Sequence, residues 1–144
     1  MKEELDLSTM PFQYSLCLNR QCPKASTCLR QLVEEHIPDD VQYWSIISPK
    51  HLNKLSGDCP YYRSSTKVRF AKGFISILEE LPHKQMRTVI NHLISFFNRR
   101  TYYRTRKGER PLSPAEQQSV MGIIKNCGIT NPLEFDTYYD DYDW

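Results

Sequence analysis

The sequence contains few glycines and no long run of apolar residues. Its five glycines are spread singly, so there is no glycine-rich loop of the kind that cradles a phosphate group. The Gly-x-Ser-x-Gly motif of serine hydrolases and the His-Glu-x-x-His motif of zinc proteases are also absent. The longest apolar runs are only a few residues, far short of a membrane span. We therefore expect a non-enzymatic protein with no small-molecule substrate and no membrane partner.

The start of the chain lacks the features of a secretory signal, because Met1–Leu7 is acidic and has no apolar segment. We therefore expect a cytoplasmic protein. Its 144 residues, of which 40% are hydrophobic and 25% charged, fit a single globular domain. In a reducing compartment, clustered cysteines are more often metal ligands or catalytic thiols than disulfides.

Four of the five cysteines are clustered in the pattern Cys-x4-Cys-x5-Cys-x30-Cys, formed by Cys17, Cys22, Cys28 and Cys59. We predict that they bind a metal, because thiolates are preferred ligands of Zn²⁺ and of iron–sulfur clusters. Zinc is the expected metal and an iron–sulfur cluster is the alternative. The pattern lacks the paired Cys-x2-Cys of a zinc ribbon, and prolines follow Cys22 and Cys59 as they follow the last ligand of bacterial ferredoxins. Buried thiols and a redox or disulfide role stay open as alternatives.

A basic and aromatic segment follows in the second half of the chain. The net charge is only +2, yet twelve basic and three acidic residues lie between Arg63 and Arg110. Arginines bind phosphates and tyrosines stack on bases, so this segment indicates contact with nucleic acid or with an acidic protein surface. The alternative is a solvated segment that pairs with the acidic tail after Glu134. The candidate binding residues are Arg99, Arg100, Tyr102, Tyr103, Arg104, Arg106, Lys107 and Arg110.

The pattern of apolar residues predicts an α+β fold, a mainly helical single domain over residues 1–144 with short strands. Residues 1–63 are expected to form a cysteine-ligated metal lobe. Residues 64–144 are expected to form a helical hairpin, a basic strand, a C-terminal helix and an acidic, aromatic tail. The predicted elements are a helix after Pro23 that is capped by Ser26 or Thr27 and ends at Pro38, a strand over 41–47, a loop over 48–63, helices over 64–81 and 84–98, a strand over 101–107, a helix capped by Ser113 that ends at Cys127, and an edge strand or extended tail over 135–144.

Three parts of the sequence resemble a family of small proteins of unknown function from Bacteroidales-type anaerobic bacteria. They are the run Tyr14–Leu32 with its three cysteines, the block Cys59–Ser64, and Tyr102–Arg104 with the block Gly108–Pro114. The resemblance covers most of the chain and implies no catalytic residue.

These features together predict a metal-stabilised cytoplasmic binding or regulatory protein that contacts its partner through the basic segment. The alternative function is a redox or sensing protein that carries an iron–sulfur cluster on the four cysteines.

Overall fold

The computed structural model describes residues 4–144, which fall into two compact units. Unit 1 comprises the described residues up to Lys67 together with Tyr142–Trp144, and unit 2 comprises Val68–Asp141. Helices and a two-stranded sheet confirm the mixed α/β class, whereas the single-domain extent stays a prediction. No helix within residues 4–144 is long and apolar enough to cross a membrane. The elements are α1 Leu29–His36, α2 Pro49–Leu52, β1 Val68–Lys72, α3 Ile75–Glu79, α4 His83–Phe97, α5 Arg99–Arg106, α6 Pro114–Asn126 and β2 Thr137–Asp141.

Unit 1 has little regular structure. Helix α1 confirms the helix predicted after Pro23, but its N-cap is Cys28, so the predicted cap at Ser26 or Thr27 is wrong. The predicted strand over 41–47 is also wrong, because the segment pairs through a single parallel bridge between Leu16 and Ile46. Residues with high β-propensity form a strand only where a partner strand is available. Within residues 4–144, Leu16 is the only residue that pairs with this segment. The predicted loop over 48–63 contains one short helix, α2.

In unit 2, the predicted helix over 64–81 is replaced by strand β1, a turn at Gly73 and the short helix α3. Strand β1 pairs antiparallel with β2, which confirms the predicted edge strand near the end of the chain. Phe70 of β1 stacks on Tyr139 of β2, with ring centroids 5.5 Å apart. The apolar spacing of this region fits a helix as well as a strand, and the pairing with a distant segment selects the strand.

Helix α4 confirms the helix predicted over 84–98, but the strand predicted over 101–107 is wrong, because this segment forms helix α5. Asn98 connects the two helices with a φ of +69°, and its side-chain oxygen accepts a hydrogen bond from Thr101 N at 3.0 Å. Tyr102 and Thr105 are both fully buried, and residues three apart share a face only in a helix. The cap and this buried pair explain why the segment is helical.

Helix α6 confirms the predicted capping box. Ser113 Oγ accepts a hydrogen bond from Glu116 N, and Glu116 Oε1 accepts one from Ser113 N, both at 3.2 Å. The helix ends at Asn126 with Cys127 as its C-cap, and Gly128 follows with a φ of +88°. The apolar core of unit 2 is enclosed by helices α3, α4, α5 and α6 together with β1.

Candidate functional site

The four clustered cysteines lie around one cavity of unit 1. Cys17, Cys22, Cys28 and Cys59 all line a space of about 30 Å³. Cys28 is buried, the other three are half-buried, and all four are free thiols. Residues that lie up to 42 positions apart in the sequence therefore contribute to the same small site. We call this arrangement the cysteine cavity.

Turns and backbone hydrogen bonds place the first two cysteines. Cys17 follows the bridge residue Leu16, and its backbone N–H donates to Arg30 O at 3.2 Å. Cys22 lies in consecutive turns, where its N–H donates to Asn19 O at 3.1 Å and its carbonyl accepts from Ala25 N at 3.0 Å. The segment between these cysteines thus folds back toward α1.

The other two cysteines are placed by α1 and by a second bridge. As the N-cap of α1, Cys28 accepts a hydrogen bond from Leu32 N at 3.0 Å through its carbonyl. Cys28 also forms an antiparallel bridge with Ser64. Cys59 lies five residues before Ser64 and begins a turn, in which its carbonyl accepts a hydrogen bond from Tyr62 N at 3.3 Å. The bridge and the turn bring Cys59 back to the start of α1.

Two basic side chains, Lys24 and Arg30, also line the cysteine cavity. The Arg30 guanidinium donates hydrogen bonds to Tyr61 O and Ser15 O, both at 2.7 Å. Lys24 Nζ lies 4.7 Å from the centre of the Tyr62 ring. The cavity therefore combines soft sulfur donors with nearby positive charge.

A buried amide completes the wall of the cavity. Gln31 of α1 is only 1% exposed, and its Nε2 donates to Asn19 O at 2.6 Å and to Cys17 Sγ at 3.8 Å. Gln31 is not among the site residues predicted from the sequence. A polar residue three positions after Cys28, between the apolar Leu29 and Val33, is the signal that could have identified it.

As the side chains stand, no three His, Cys, Asp or Glu residues in the range 4–144 meet closely enough to ligate a metal ion. The donor set nevertheless has the composition of a closed structural zinc site, which uses four thiolates. A cysteine sulfur changes position by rotation about χ1 while its backbone stays in place. A cavity needs roughly 10–15 Å³ to hold one water molecule, so this space suits a single ion.

A second candidate site lies in unit 2 on helix α5. Successive helical residues are rotated by about 100°, so five residues of this region fall within an arc of about 140°. All five are exposed, and four of them are cations. We call them the α5 basic face: Arg99, Arg100, Tyr103, Arg104 and Lys107.

The other three predicted binding residues lie elsewhere. Tyr102 is fully buried, its ring centroid lies 5.8 Å from that of Phe74, and burial raises the pKa of its phenol. Arg106 is half-buried. Arg110 donates to Glu116 Oε2 at 2.8 Å and is therefore already paired. The helix thus divides residues that the predicted strand had placed on two alternating faces.

Within unit 2, all of which the structure describes, no ion pair joins the acidic residues of the tail to this face. Part of it forms β2, where Tyr138 and Tyr139 face basic residues of β1: Arg69 Cζ lies 3.9 Å from the Tyr138 centroid and Lys72 Nζ 4.9 Å from that of Tyr139. Among residues 4–144, no ion pair involves a cation of the α5 basic face. These cations are left available to a partner.

Similarity to characterised proteins identifies neither the cysteine cavity nor the α5 basic face, since no curated protein and no solved structure matches the chain. A family model described as a family of unknown function (DUF6078) matches residues 1–144. Because this match covers the whole sequence, the chain belongs to the DUF6078 family.

Proposed function

We propose that the protein is a non-enzymatic, metal-stabilised binding or regulatory protein of the cytoplasm that binds nucleic acid through the α5 basic face. One observation carries this proposal: four cations and Tyr103 share one exposed helix face that makes no ion pair in residues 4–144. Clustered cations attract a phosphate backbone by releasing its condensed counterions. An acidic protein surface is the competing partner.

The shape of the face fits a backbone contact. Helix α5 has eight residues, so its cations extend over about 12 Å along the helix axis. Tyr103 is 42% exposed within them and offers a ring on which a base can stack. With Tyr102 buried, a single aromatic ring is available, so we expect contacts to phosphates to dominate and sequence preference to be weak.

The metal part of the proposal is a single zinc ion held by Cys17, Cys22, Cys28 and Cys59. Their common cavity and its small volume support one ion over a multi-atom cluster. Thiol rotation would complete the tetrahedron. A redox or sensing role with an iron–sulfur cluster is the alternative cofactor assignment. An origin in oxygen-poor Bacteroidales-type bacteria, implied by the sequence resemblance, would favour reduced thiols for either metal.

The nucleic-acid assignment is tested by fluorescence anisotropy with labelled single-stranded DNA, single-stranded RNA and duplex DNA over a range of salt concentrations. We expect affinity to fall steeply with salt. The double variant Arg100→Glu/Arg104→Glu should weaken binding by more than about tenfold, because it reverses two phosphate-binding charges. The matched control, Lys84→Glu/Arg87→Glu, makes the same change of net charge on the exposed surface of α4.

Absent or salt-independent binding would overturn the nucleic-acid assignment. Equal losses in the two double variants would show that net charge acts without the α5 basic face. Binding of a labelled poly-glutamate peptide in place of nucleic acid would assign the face to an acidic protein partner.

The metal assignment is tested by elemental analysis together with an absorption spectrum of protein purified without oxygen. We expect one zinc per chain and no colour, whereas iron with inorganic sulfide and a brown colour would establish the cluster instead. Cys59→Ser should lose metal and thermal stability. Cys127→Ser, a half-buried cysteine of unit 2, is the control and should keep the metal. Unchanged metal content and stability in Cys59→Ser would refute the four-cysteine site.

A further inference from the structure

We infer that Gln31 is a positioning residue of the cysteine cavity, which fixes the Cys17 sulfur as a ligand for one tetrahedral, thiophilic divalent ion. The inference rests on the metal site proposed above. It adds a non-ligand residue whose side-chain amide determines how firmly and in which geometry the ion is held.

The hydrogen bonds of Gln31 leave its side chain little freedom. One N–H of Nε2 donates to Asn19 O at 2.6 Å, and the same nitrogen donates to Cys17 Sγ at 3.8 Å. The amide oxygen accepts from Arg20 Nη1 at 3.3 Å. Rotation of the amide would break all three contacts. The donor is therefore held toward the sulfur before any metal arrives.

The burial of Gln31 indicates that its contact with Cys17 Sγ has a function. Gln31 is only 1% exposed, although it lies on the side of α1 opposite to the fully buried Leu29 and Val33. A buried amide costs free energy unless its polar atoms are hydrogen-bonded, and an apolar residue would fill the same position without that cost. A role for the amide itself accounts for a glutamine here, and the group it reaches inside the cavity is a cysteine sulfur.

The chemistry of a thiolate site explains the choice of a neutral donor. Four thiolates and one divalent ion carry a net charge of 2−, and the cations Lys24 and Arg30 line the same cavity. Charge compensation is therefore already supplied. A neutral N–H donor adds direction, because hydrogen bonds to an ionised acceptor are strong and orient it. Such contacts outside the ligand set typically change metal affinity 10–100-fold.

Cobalt substitution separates positioning from a purely structural role. Wild-type protein should bind one Co²⁺ per chain with an intense sulfur-to-cobalt charge-transfer band. Gln31→Met keeps the volume and removes the donor, so we expect about 10–100-fold weaker Co²⁺ binding and a shifted band. Gln117→Met is the matched control, since Gln117 donates to Arg69 O at 2.8 Å and Leu112 O at 3.1 Å in unit 2. It should leave affinity and band unchanged.

If folded Gln31→Met bound Co²⁺ as tightly as the wild type and with an unshifted charge-transfer band, the inference would be overturned. A second measurement needs no substitution and decides the matter if the variant fails to fold. In wild-type protein loaded with ¹¹³Cd, the Gln31 amide proton should show scalar coupling to the metal through Cys17 Sγ, and absence of that coupling would also overturn the inference. If wild-type protein binds none of Zn²⁺, Co²⁺ and Cd²⁺, the metal site itself fails and the inference fails with it. Metal binding without the Gln31 effects refutes only the inference.

Discussion

The two units are of similar length but differ in what holds them together. Unit 2 has a continuous cluster of fourteen buried apolar residues drawn from its helices, from β1 and from the segments between them. Within residues 4–144, the corresponding cluster of unit 1 comprises Tyr14, Leu16 and Val33, with half-buried neighbours around it. Small folds with thin cores generally depend on a metal or on disulfides. The cysteine cavity therefore lies in the unit whose apolar core is least able to sustain a fold alone.

Polar contacts make up part of the difference. The Arg30 side chain joins two carbonyls of unit 1 and lies over the Tyr14 ring, 4.6 Å from its centroid. Trp44 Nε1 donates to Tyr14 O at 2.9 Å. Such contacts fix a chain path, but each contributes only about 1 kcal/mol net, far less than a buried apolar cluster. Polar contacts thus specify the chain path of unit 1, and the metal proposed for the cysteine cavity would supply the stability that its apolar core lacks.

Removal of the metal proposed for the cysteine cavity should have the largest effect and should act on unit 1 alone. Structural zinc supplies on the order of 10 kcal/mol in small metal-dependent folds, so we expect chelation to unfold unit 1. Both tryptophans, Trp44 and Trp144, belong to unit 1 and report its state by fluorescence. Their emission should shift to the red while far-UV circular dichroism keeps the helical signal of α4 and α6. Hydrogen exchange gives the same comparison peptide by peptide. Unchanged tryptophan emission after complete chelation would contradict this view of unit 1.

Matched truncations in the two cores should differ less, but measurably. Leu93 is fully buried among fourteen residues, whereas Leu16 is 2% exposed in a cluster of three. Leu→Ala costs depend on how well the surroundings collapse, so we expect about 3–5 kcal/mol for Leu93→Ala and about 2 kcal/mol for Leu16→Ala with metal bound. Urea titrations followed by circular dichroism and by tryptophan fluorescence would measure the two costs. Equal costs would show that apolar packing sustains unit 1 as well.

The elements that the sequence predicts correctly are those defined by local signals. Helix α6 has a capping box within four residues, and α4 has apolar residues at helical spacing over four turns. The predictions for the segments of β1 and α5 were wrong, because contacts between residues distant in sequence determine the structure of both segments. Strand β1 requires β2, almost seventy residues away, and α5 is fixed by burial of Tyr102 in the core of unit 2.

The candidate sites show the same division. Thiol chemistry and clustering pointed to the four cysteines, and the structure places all four around one cavity. Gln31 has no motif, because its importance comes from a contact with a sulfur fourteen residues earlier. The basic segment was recognisable from charge, but which residues face outward depends on whether the segment is a strand or a helix.

Two glycines with nearly equal positive φ angles offer a smaller test of the difference in packing. Gly57 of unit 1 and Gly73 of unit 2 have φ values of +78° and +77°. A Cβ at Gly57 would meet no atom within 4 Å, whereas one at Gly73 would lie 2.5 Å from Asp136 Oδ2. We expect Gly57→Ala to cost about 1–2 kcal/mol from backbone strain alone. Gly73→Ala should cost about 1 kcal/mol more, because the new Cβ displaces the Asp136 carboxylate, which accepts hydrogen bonds from the first N–H groups of α3. Thermal unfolding of both variants would measure the difference between their losses of stability. Equal losses would mean that the Asp136 carboxylate can move aside without a cost in free energy.

The smallest expected effect compares two aspartates that make different kinds of contact. Asp136 accepts hydrogen bonds at 3.0 Å from Ile75 N and Ser76 N, sixty residues away, and another from the Ser76 hydroxyl. Burial raises the pKa of Asp136, but these bonds outweigh it and hold the pKa below its usual value of 3.8. Asp6 of unit 1 has a lowered pKa too, through hydrogen bonds from Ser8 within its own turn.

Asp136→Ala should therefore cost about 1 kcal/mol at neutral pH, the usual value of a helix cap, whereas Asp6→Ala should have no measurable effect on global stability. Because the folded pKa of Asp136 is depressed, its stabilisation is fully present above the unfolded pKa of 3.8 and is lost as pH falls through the folded pKa. The stabilities of wild type and Asp136→Ala should thus converge in acid, which urea titrations between pH 7 and pH 2 would measure. A gap that persists unchanged to the acid limit would show that packing, and not the charged cap, joins the start of α3 to the segment that leads into β2.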